Sequence, residues 1–419
     1  MAASAIIMTL LAVLGAPLFA LIAGGAMLGY MRGDIELTAI AIEMFGIAEM
    51  PILLAIPLFT FAGYILSESK APDRLVRVTN ALMGWLPGGL AIVAIVACSL
   101  FTAFTGASGV TIIALGALLY PALEQSGYSP KFSLGLLTAG GSLGLLFAPS
   151  LPLILYGVVA EQSIDDLFIA GILPGILMMS IMAAYCLWVN RDNRTPLSDF
   201  SFREVLSALR EAMWEIPLPL IVLGGIYSGY LAVSEAAAVT ALYVVIVEVL
   251  IKREIAFVEL PRIVRESMVL VGGILLILGA SLASTNYMID AEVPQQLISV
   301  VSSLVSDRTS FLFLLFLFLL VLGAILDIFS ALVLVVPLIL PVAAEFGVHP
   351  IHLGIVFLAT MQLGYLTPPV GLNLFIASYR FDQSIVRVYL ATLPFLFMLM
   401  AAVILITFWP ELSLMLLND

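Results

Sequence analysis

The sequence predicts an all-α polytopic membrane protein built as two inverted repeats, each holding a re-entrant helical hairpin and a broken transmembrane helix. Three observations predict it. The 419 residues are 63% hydrophobic and 11% charged, with a mean hydropathy of +1.19. That is more apolar surface than a soluble domain needs, and the runs lack the alternation of a membrane barrel. Second, a Gly/Pro pattern recurs 220 positions apart without a gap. Pro121, Gly127 and Pro130 register with Pro341, Gly347 and Pro350; Leu143-Gly144 registers with Leu363-Gly364, and Pro149 with Pro369. Third, one long apolar run in each half is interrupted at its centre by small or polar residues. Paired Gly/Pro interruptions in two halves of a membrane protein point to a transport site.

The elements follow in order. An apolar run from about Ala5 to Leu28 lacks a basic leader, so it reads as a first spanning helix and not a cleaved signal. Residues 29–50 read as a loop with a half-buried piece, and Pro51 to Leu66 as the second helix. Lys70 to Leu86 places Lys70, Arg74 and Arg77 opposite Leu75, Val78 and Leu82, the pattern of an interfacial helix. The first hairpin covers about 88–125, with arms of a dozen to fifteen residues around Thr105-Gly-Ala-Ser-Gly109. Such arms are shorter than the ~20 residues of a full span, and a non-helical tip at membrane depth needs a polar cavity. A broken helix over about 131–159 and a span from about Leu167 to Val189 complete the first half, residues 1–190.

Residues 191–215 read as a cytoplasmic linker carrying four arginines. The second half, 216–419, opens with a helical pair, Ile216–Val233 and Ala236–Ile251, then a helix near Met268–Met288 and an interfacial piece at 290–307. A second hairpin follows over about 311–343, with its tip at Gly323 to Ser330, then a broken helix over about 351–378 and a last span near Val388–Phe408.

With the N-terminus inside, 14 of the 16 Lys/Arg fall on the cytoplasmic side, all but Arg32 and Arg308. The positive-inside rule supports that orientation, and the first hairpin then enters from the cytoplasm and the second from outside. The formal net charge of -12 excludes a nucleic-acid partner, which would need a basic stripe. Cys98 and Cys186 sit in apolar runs and read as buried small hydrophobes. Glu43, Glu215, Glu235 and Glu248 lie near helix ends and read as solvated or interfacial.

A broken helix exposes unpaired N–H groups on one half and unpaired C=O groups on the other. The first suit a substrate carboxylate, the second a hard cation such as Na⁺. The candidate substrate contacts are therefore Thr105, Ser108, Ser142, Ser150, Ser330, Thr367 and Asn373. The candidate cation ligands are Gly106, Ser108, Gly109, Gly141, Pro149, Asp327, Pro368 and Gly371. Asp327 is the carboxylate deep in the second hairpin, and intramembrane acids are functional candidates by default. It could instead cap a half-helix or bind a neighbouring hydroxyl. Thr60 can bond its own backbone and is set aside. No organic cofactor is expected.

The stretches Pro51-Ile-Leu-Leu-Ala-Ile-Pro-Leu-Phe59, Leu86-Pro-Gly-Gly-Leu90, Thr105-Gly-Ala-Ser108, Gly127-Tyr128, Phe147-Ala-Pro-Ser150 and Gly364-Tyr-Leu-Thr-Pro-Pro-Val-Gly371 stand in an order that resembles the large membrane subunit of tripartite ATP-independent periplasmic (TRAP) transporters. The resemblance covers essentially the whole chain. It implies a small four-helix membrane subunit and a soluble periplasmic substrate-binding protein as partners. It also implies location in the bacterial inner membrane and sodium-driven uptake of an organic acid (a C4-dicarboxylate, a sialic acid or a similar carboxylate). The implied mechanism is an elevator, in which both hairpins slide against a scaffold of the remaining helices. The residues proposed above match the family's substrate and sodium region. At Phe147-Ala-Pro-Ser150 a single proline stands where the family commonly has Pro-Pro-Ser. A stand-alone sodium/divalent-anion symporter is the near alternative. An intramembrane serine protease is the remote one, because Gly106-Ala-Ser-Gly109 resembles a protease pattern; it would need a base beside Ser108. The two histidines, His349 and His352, are expected in the outer connection, far from that tip.

Overall fold

The computed structural model describes residues 2–33, 35–86, 88–191 and 200–417, all helices, turns and loops with no strand among them. Pro87 of the Leu86–Gly89 motif and Arg194 of the linker lie outside these residues. The first half comprises α1 (Ala2–Val13), α2 (Leu18–Arg32), α3 (Thr38–Gly46), α4 (Ala55–Glu68) and α5 (Ala71–Met83). It continues with α6 (Gly89–Thr105), α7 (Ser108–Gln125), α8 (Pro130–Gly140), α9 (Leu151–Val159), α10 (Ile164–Ala170) and α11 (Ile172–Val189). A linker helix, α12 (Phe202–Glu211), precedes α13 (Pro217–Tyr227), α14 (Val233–Val245), α15 (Leu260–Asp290) and α16 (Val293–Leu304). The chain ends with α17 (Arg308–Gly323), α18 (Ile328–Glu345), α19 (Pro350–Gly364), α20 (Leu372–Arg380), α21 (Ile385–Phe408) and the short α22 (Glu411–Leu414). Among the described residues seven helices are long and apolar enough to cross a membrane, or nine if each of two sharply bent pairs counts as one span.

The 220-position offset runs through these boundaries. α7 begins at 108 and α18 at 328; α8 begins at 130 and α19 at 350. The packing repeats with the halves exchanged. α2 packs on α15 and its counterpart α14 on α4; α7 packs on α20 and its counterpart α18 on α9. Counterparts α4 and α15 also meet, as do α11 and α21. Each half therefore completes its core with helices of the other, as a pseudo-two-fold arrangement requires.

Several boundaries differ from the sequence reading. The run from Ala5 to Leu28 is two helices, because Gly15 takes a φ of +84° and Pro17 follows as the residue before α2. Residues 29–50 contain α3. The hairpin arms run 16 to 18 residues, longer than expected, because α7 continues through Pro121 and α18 through Pro337 and Pro341. Glu248, read from the sequence as solvated or interfacial, is not solvated: its residue is 0% exposed. It lies 3.2 Å from Arg74, whose guanidinium also reaches Glu215 at 2.5 Å and Glu254 at 2.6 Å. Arg74 is itself buried. A charge taken out of water needs partners of opposite sign, and the carboxylates of the linker and of the end of α14 supply them. Lys252 adds a second cation on Glu215 at 3.0 Å, and Arg77 pairs with Glu204 and Glu211 of α12. The arm α5 is thus clamped along its polar face. Cys98 and Cys186 are buried and free, and Thr60 donates to the Ile56 carbonyl at 2.6 Å.

Candidate functional site

Two hairpin tips meet two helix breaks. In the first tip, α6 ends at Thr105, Gly106 turns with a φ of +65°, and α7 starts at Ser108 without a side-chain cap. A Cβ on Gly106 would stand 2.5 Å from the Leu151 side chain, and one on Gly109 2.6 Å from Ile376. Gly106, with its positive φ and Leu151 against it, lets this tip sit on α9; at Gly109 the neighbour is the end of the Ile376 side chain of α20. The Ser108 hydroxyl donates to Oδ1 of Asn373 at 2.8 Å, and the Asn373 amide donates to the Thr138 carbonyl at 3.3 Å. Asn373 is completely buried, and in this way one residue of the second half holds both the first tip and the end of α8.

The first break spans the residues between α8 and α9, and the chain bends by 44° between 130–146 and 151–159. Gly141 presses on Ile112, and its carbonyl accepts from Thr102 Oγ1 at 2.8 Å. Thr102 Oγ1 also lies 2.7 Å from Thr111 Oγ1. These two buried threonines join hairpin to break, and they were absent from the sequence candidates. Their signal was available: they flank the tip, three residues to either side, on facing arms. Ser142 and Ser150 return to carbonyls of their own break, Ala139 and Leu145. Pro149 is buried beside them. Thr105 likewise donates back to the Phe101 carbonyl at 3.1 Å.

The second tip differs. Asp327 is exposed and caps α18: Oδ1 accepts the N–H groups of Phe329 and Ser330, both at 3.0 Å, and Oδ2 accepts the Ser330 hydroxyl. Besides a cation role, the sequence left it a helix cap or a bond to a neighbouring hydroxyl, and its hydrogen bonds make both of these. The Tyr365 hydroxyl accepts the Ile328 N–H at 2.7 Å. In the second break the Ala324 carbonyl accepts from the N–H groups of Val370 and Gly371, which ties tip to break. Gly371 holds a φ of +57°. Thr367 donates to the Leu363 carbonyl at 2.8 Å, and Pro368 is exposed.

The arrangement brings Ser108 and Asn373 together, with Gly106, Gly109 and Gly141 as the surfaces that let them approach. It groups Asp327, Ser330 and Gly371 around the second tip, whereas among the described residues no hydrogen bond ties Pro368 to it. Backbone-bonded Ser142, Ser150 and Thr367 stay within their own breaks. A further buried group, Gln362, carries an unpartnered amide beside the second break and had no place among the sequence candidates. Neither histidine approaches Ser108 among the described residues. His349 caps α19, and His352 lies buried inside that helix, within 3.2 Å of the Ser413 hydroxyl and 3.3 Å of the Thr407 carbonyl. Among the described residues no group of three or more His, Cys, Asp and Glu stands ready for a metal.

Residues 3–412 match the family model "Tripartite ATP-independent periplasmic transporter, DctM component". The chain is 35% identical over 381 residues to the C4-dicarboxylate TRAP transporter large permease protein DctM of Pseudomonas aeruginosa, covering 91% of this chain and 89% of that protein. It is 30% identical over 413 residues to the Ectoine/5-hydroxyectoine TRAP transporter large permease protein UehC of Ruegeria pomeroyi, covering 98% and 96%. The fold is similar to that of the Alcanivorax borkumensis YdaH transporter, with a TM-score of 0.60 at 13% identity over 91% of this chain and 89% of that one. Matched from its third residue to within α22, with its tips and breaks in place, the chain belongs to the DctM component family, the large permeases of TRAP transporters.

Proposed function

We propose that this large permease imports an organic acid by sodium-driven, binding-protein-dependent secondary transport, and that it does so as an elevator. Family membership makes it a multi-pass transporter subunit of the bacterial inner membrane, not an enzyme. The family works with a small membrane subunit and a periplasmic binding protein, and we propose a separate chain for each here. The observation that carries the reading is the pairing of Ser108 with Asn373. It is a buried polar junction between one half's tip and the other half's break. The uncapped start of α7 offers N–H groups to a carboxylate there. Carbonyls around Gly106, Gly109, Gly141, Pro149, Pro368 and Gly371, with Asp327 at the second tip, are the proposed oxygen ligands for Na⁺. Thr105, Ser142, Ser150, Ser330 and Thr367 are the further proposed substrate contacts. The two halves, 1–190 and 216–419, are proposed to be inverted about the membrane plane, with α12 and its flanking linker on the cytoplasmic side.

The test is uptake in proteoliposomes holding this chain, its small subunit and its binding protein, under an imposed inward sodium gradient. The panel is labelled C4-dicarboxylates, sialic acid and ectoine, the last because a relative is named for it. Uptake that needs both partners and sodium is the expected result. Uptake by the permease alone would make it a stand-alone symporter, and uptake indifferent to sodium would remove the coupling ion.

A further inference from the structure

Gln362 is 1% exposed, and both its side-chain oxygen and its side-chain nitrogen are buried without a hydrogen-bond partner. Buried amides ordinarily carry partners at both ends. This one is aimed at something the surrounding side chains and backbone do not supply.

Its place is specific. Gln362 lies in the last turn of α19, two residues before Gly364. A Cβ on Gly364 would stand 2.4 Å from the Gly323 backbone, so this turn presses directly on the second hairpin. The other end of α19 lies beside Tyr156 of α9, whose hydroxyl donates to the Pro350 carbonyl at 2.6 Å. α19 also packs on the 143–146 turn of the first break. α19 thus joins the second hairpin, which its last turn touches, to the first break. The 220-position offset sets Gln362 in register with Ser142, the residue before that turn. Ser142 is short and returns to its own backbone; Gln362 does not.

The backbone at this point is also open. The N–H groups of Tyr365, Leu366 and Thr367 bond to the carbonyls of Met361, Leu363 and Gly364. None of them reaches the carbonyl of Gln362. Two oxygens of one residue, Oε1 and the main-chain carbonyl, thus lie without donors at the C-terminal end of a half-helix. That end carries partial negative charge. Such a pair suits a small hard cation, and the remaining –NH₂ is a donor that suits a carboxylate.

We propose that Gln362 bridges the coupling cation and the substrate: its two oxygens face the cation, and Nε2 donates to the substrate carboxylate. This rests on the sodium-driven, organic-acid reading above. The residue would then make the occupancy of one site favour the other, which is what coupling requires.

The probe is sodium itself. Ligand binding to the folded state raises the unfolding temperature by mass action, so the purified permease with its small subunit is melted in increasing sodium chloride against a potassium chloride control. Wild type is expected to respond to sodium. Gln362→Met keeps an unbranched side chain of similar length and removes both polar atoms. It is expected to melt at or above the wild-type temperature in potassium, and to need about tenfold more sodium for the same shift. Gln362→Glu keeps the side-chain oxygen and loses the donor. It is expected to keep its sodium response while carboxylate uptake falls at least about tenfold. A Met variant that melts lower in potassium but responds to sodium as wild type does would assign Gln362 a purely structural role and overturn the proposal. A Glu variant that transports normally would remove the carboxylate contact. Wild type that does not respond to sodium at all would strike the underlying sodium reading, seen without any variant.

Discussion

The hydroxyl of Ser108 donates to Oδ1 of Asn373 across 2.8 Å, joining residues 265 positions apart. Ser108→Ala leaves that buried oxygen without its donor, a change that costs about 1–3 kcal/mol. The expected result is a lower melting temperature and reduced uptake. Because Asn373 also holds the Thr138 carbonyl, Asn373→Ala is expected to cost more than Ser108→Ala. The double variant should cost less than the sum, because one contact is lost twice. Strict additivity of the three melts would show that the two residues do not act through each other.

Backbone contact sets a second expectation. A Cβ on Gly144 would stand 2.1 Å from the Ser99 carbonyl of α6, and one on Gly364 2.4 Å from Gly323 of α17. These are counterpart contacts, each pressing a break onto its own hairpin. Neither neighbour is a flexible side-chain tip that could swing away. Gly144→Ala and Gly364→Ala are expected to destabilise by about 1–3 kcal/mol through overpacking. Gly272→Ala in α15, where nothing lies within 4 Å of the added atom, is expected to be neutral or to gain up to about 1 kcal/mol from helix propensity. Thermal unfolding of the three purified variants checks the order.

How much of this was legible in the sequence depends on the kind of signal. Breaks and tips were legible because Gly and Pro punctuate a helix locally, and the repeat doubled each mark: α7 and α18 start 220 positions apart, as do α8 and α19. The Arg74 cluster was not. Local periodicity put Arg74 with Lys70 and Arg77 on one polar face. Nothing near it in sequence says that Glu215, Glu248 and Glu254, all more than 140 positions later, fold onto it. Gln362 escaped for the opposite reason: with His352 and Thr360 it is one of a few polar residues in an apolar helix, too few to make a periodic face. Its register with Ser142 was the available clue.

Asp327 separates charge from capping. Asn keeps an acceptor for the N–H groups of Phe329 and Ser330 and loses the charge. Asp327→Asn is therefore expected to melt close to wild type, whereas Asp327→Ala loses the cap and about 1 kcal/mol. If the proposed cation role holds, the Asn variant should need more sodium for half-maximal uptake. An unchanged sodium dependence in the Asn variant would leave Asp327 a cap alone.

The Arg74 cluster gives a pH dependence. Burial alone would raise the Glu254 carboxyl, but hydrogen bonds from the Arg74 guanidinium and the Lys70 N–H outweigh it and hold the group below its ordinary 4.5. A carboxyl whose folded value is depressed contributes stability that is complete above the unfolded value and lost as pH falls through the folded one. The melting difference between wild type and Glu254→Gln is thus expected to be constant above about pH 5 and to shrink below about 4.5. Arg74→Gln, which strands several carboxylates at once, is expected to cost about 3–5 kcal/mol at neutral pH. A difference that grows on acidification would reverse the sign assigned to Glu254.

Pro337 lies inside α18 and has no N–H, so the Val333 carbonyl one turn earlier loses its helical donor. The Ser281 hydroxyl of α15 supplies the missing bond at 2.7 Å, and Ser281 is 1% exposed. The bond therefore crosses from a long helix outside the hairpins to the second hairpin itself. In an elevator these two parts slide past one another, and the bond can form in one position only. Ser281→Ala leaves the carbonyl orphaned in this arrangement at a cost of about 1–3 kcal/mol, and leaves any arrangement that lacks the bond untouched. The expected outcome is a population shift away from the arrangement described here. It can be read as loss of cross-linking between cysteines placed at 281-adjacent and 333-adjacent positions on the two helices. Cross-linking that is unchanged while the melting temperature falls would mean that α15 and α18 stay together throughout, and that the moving boundary lies elsewhere.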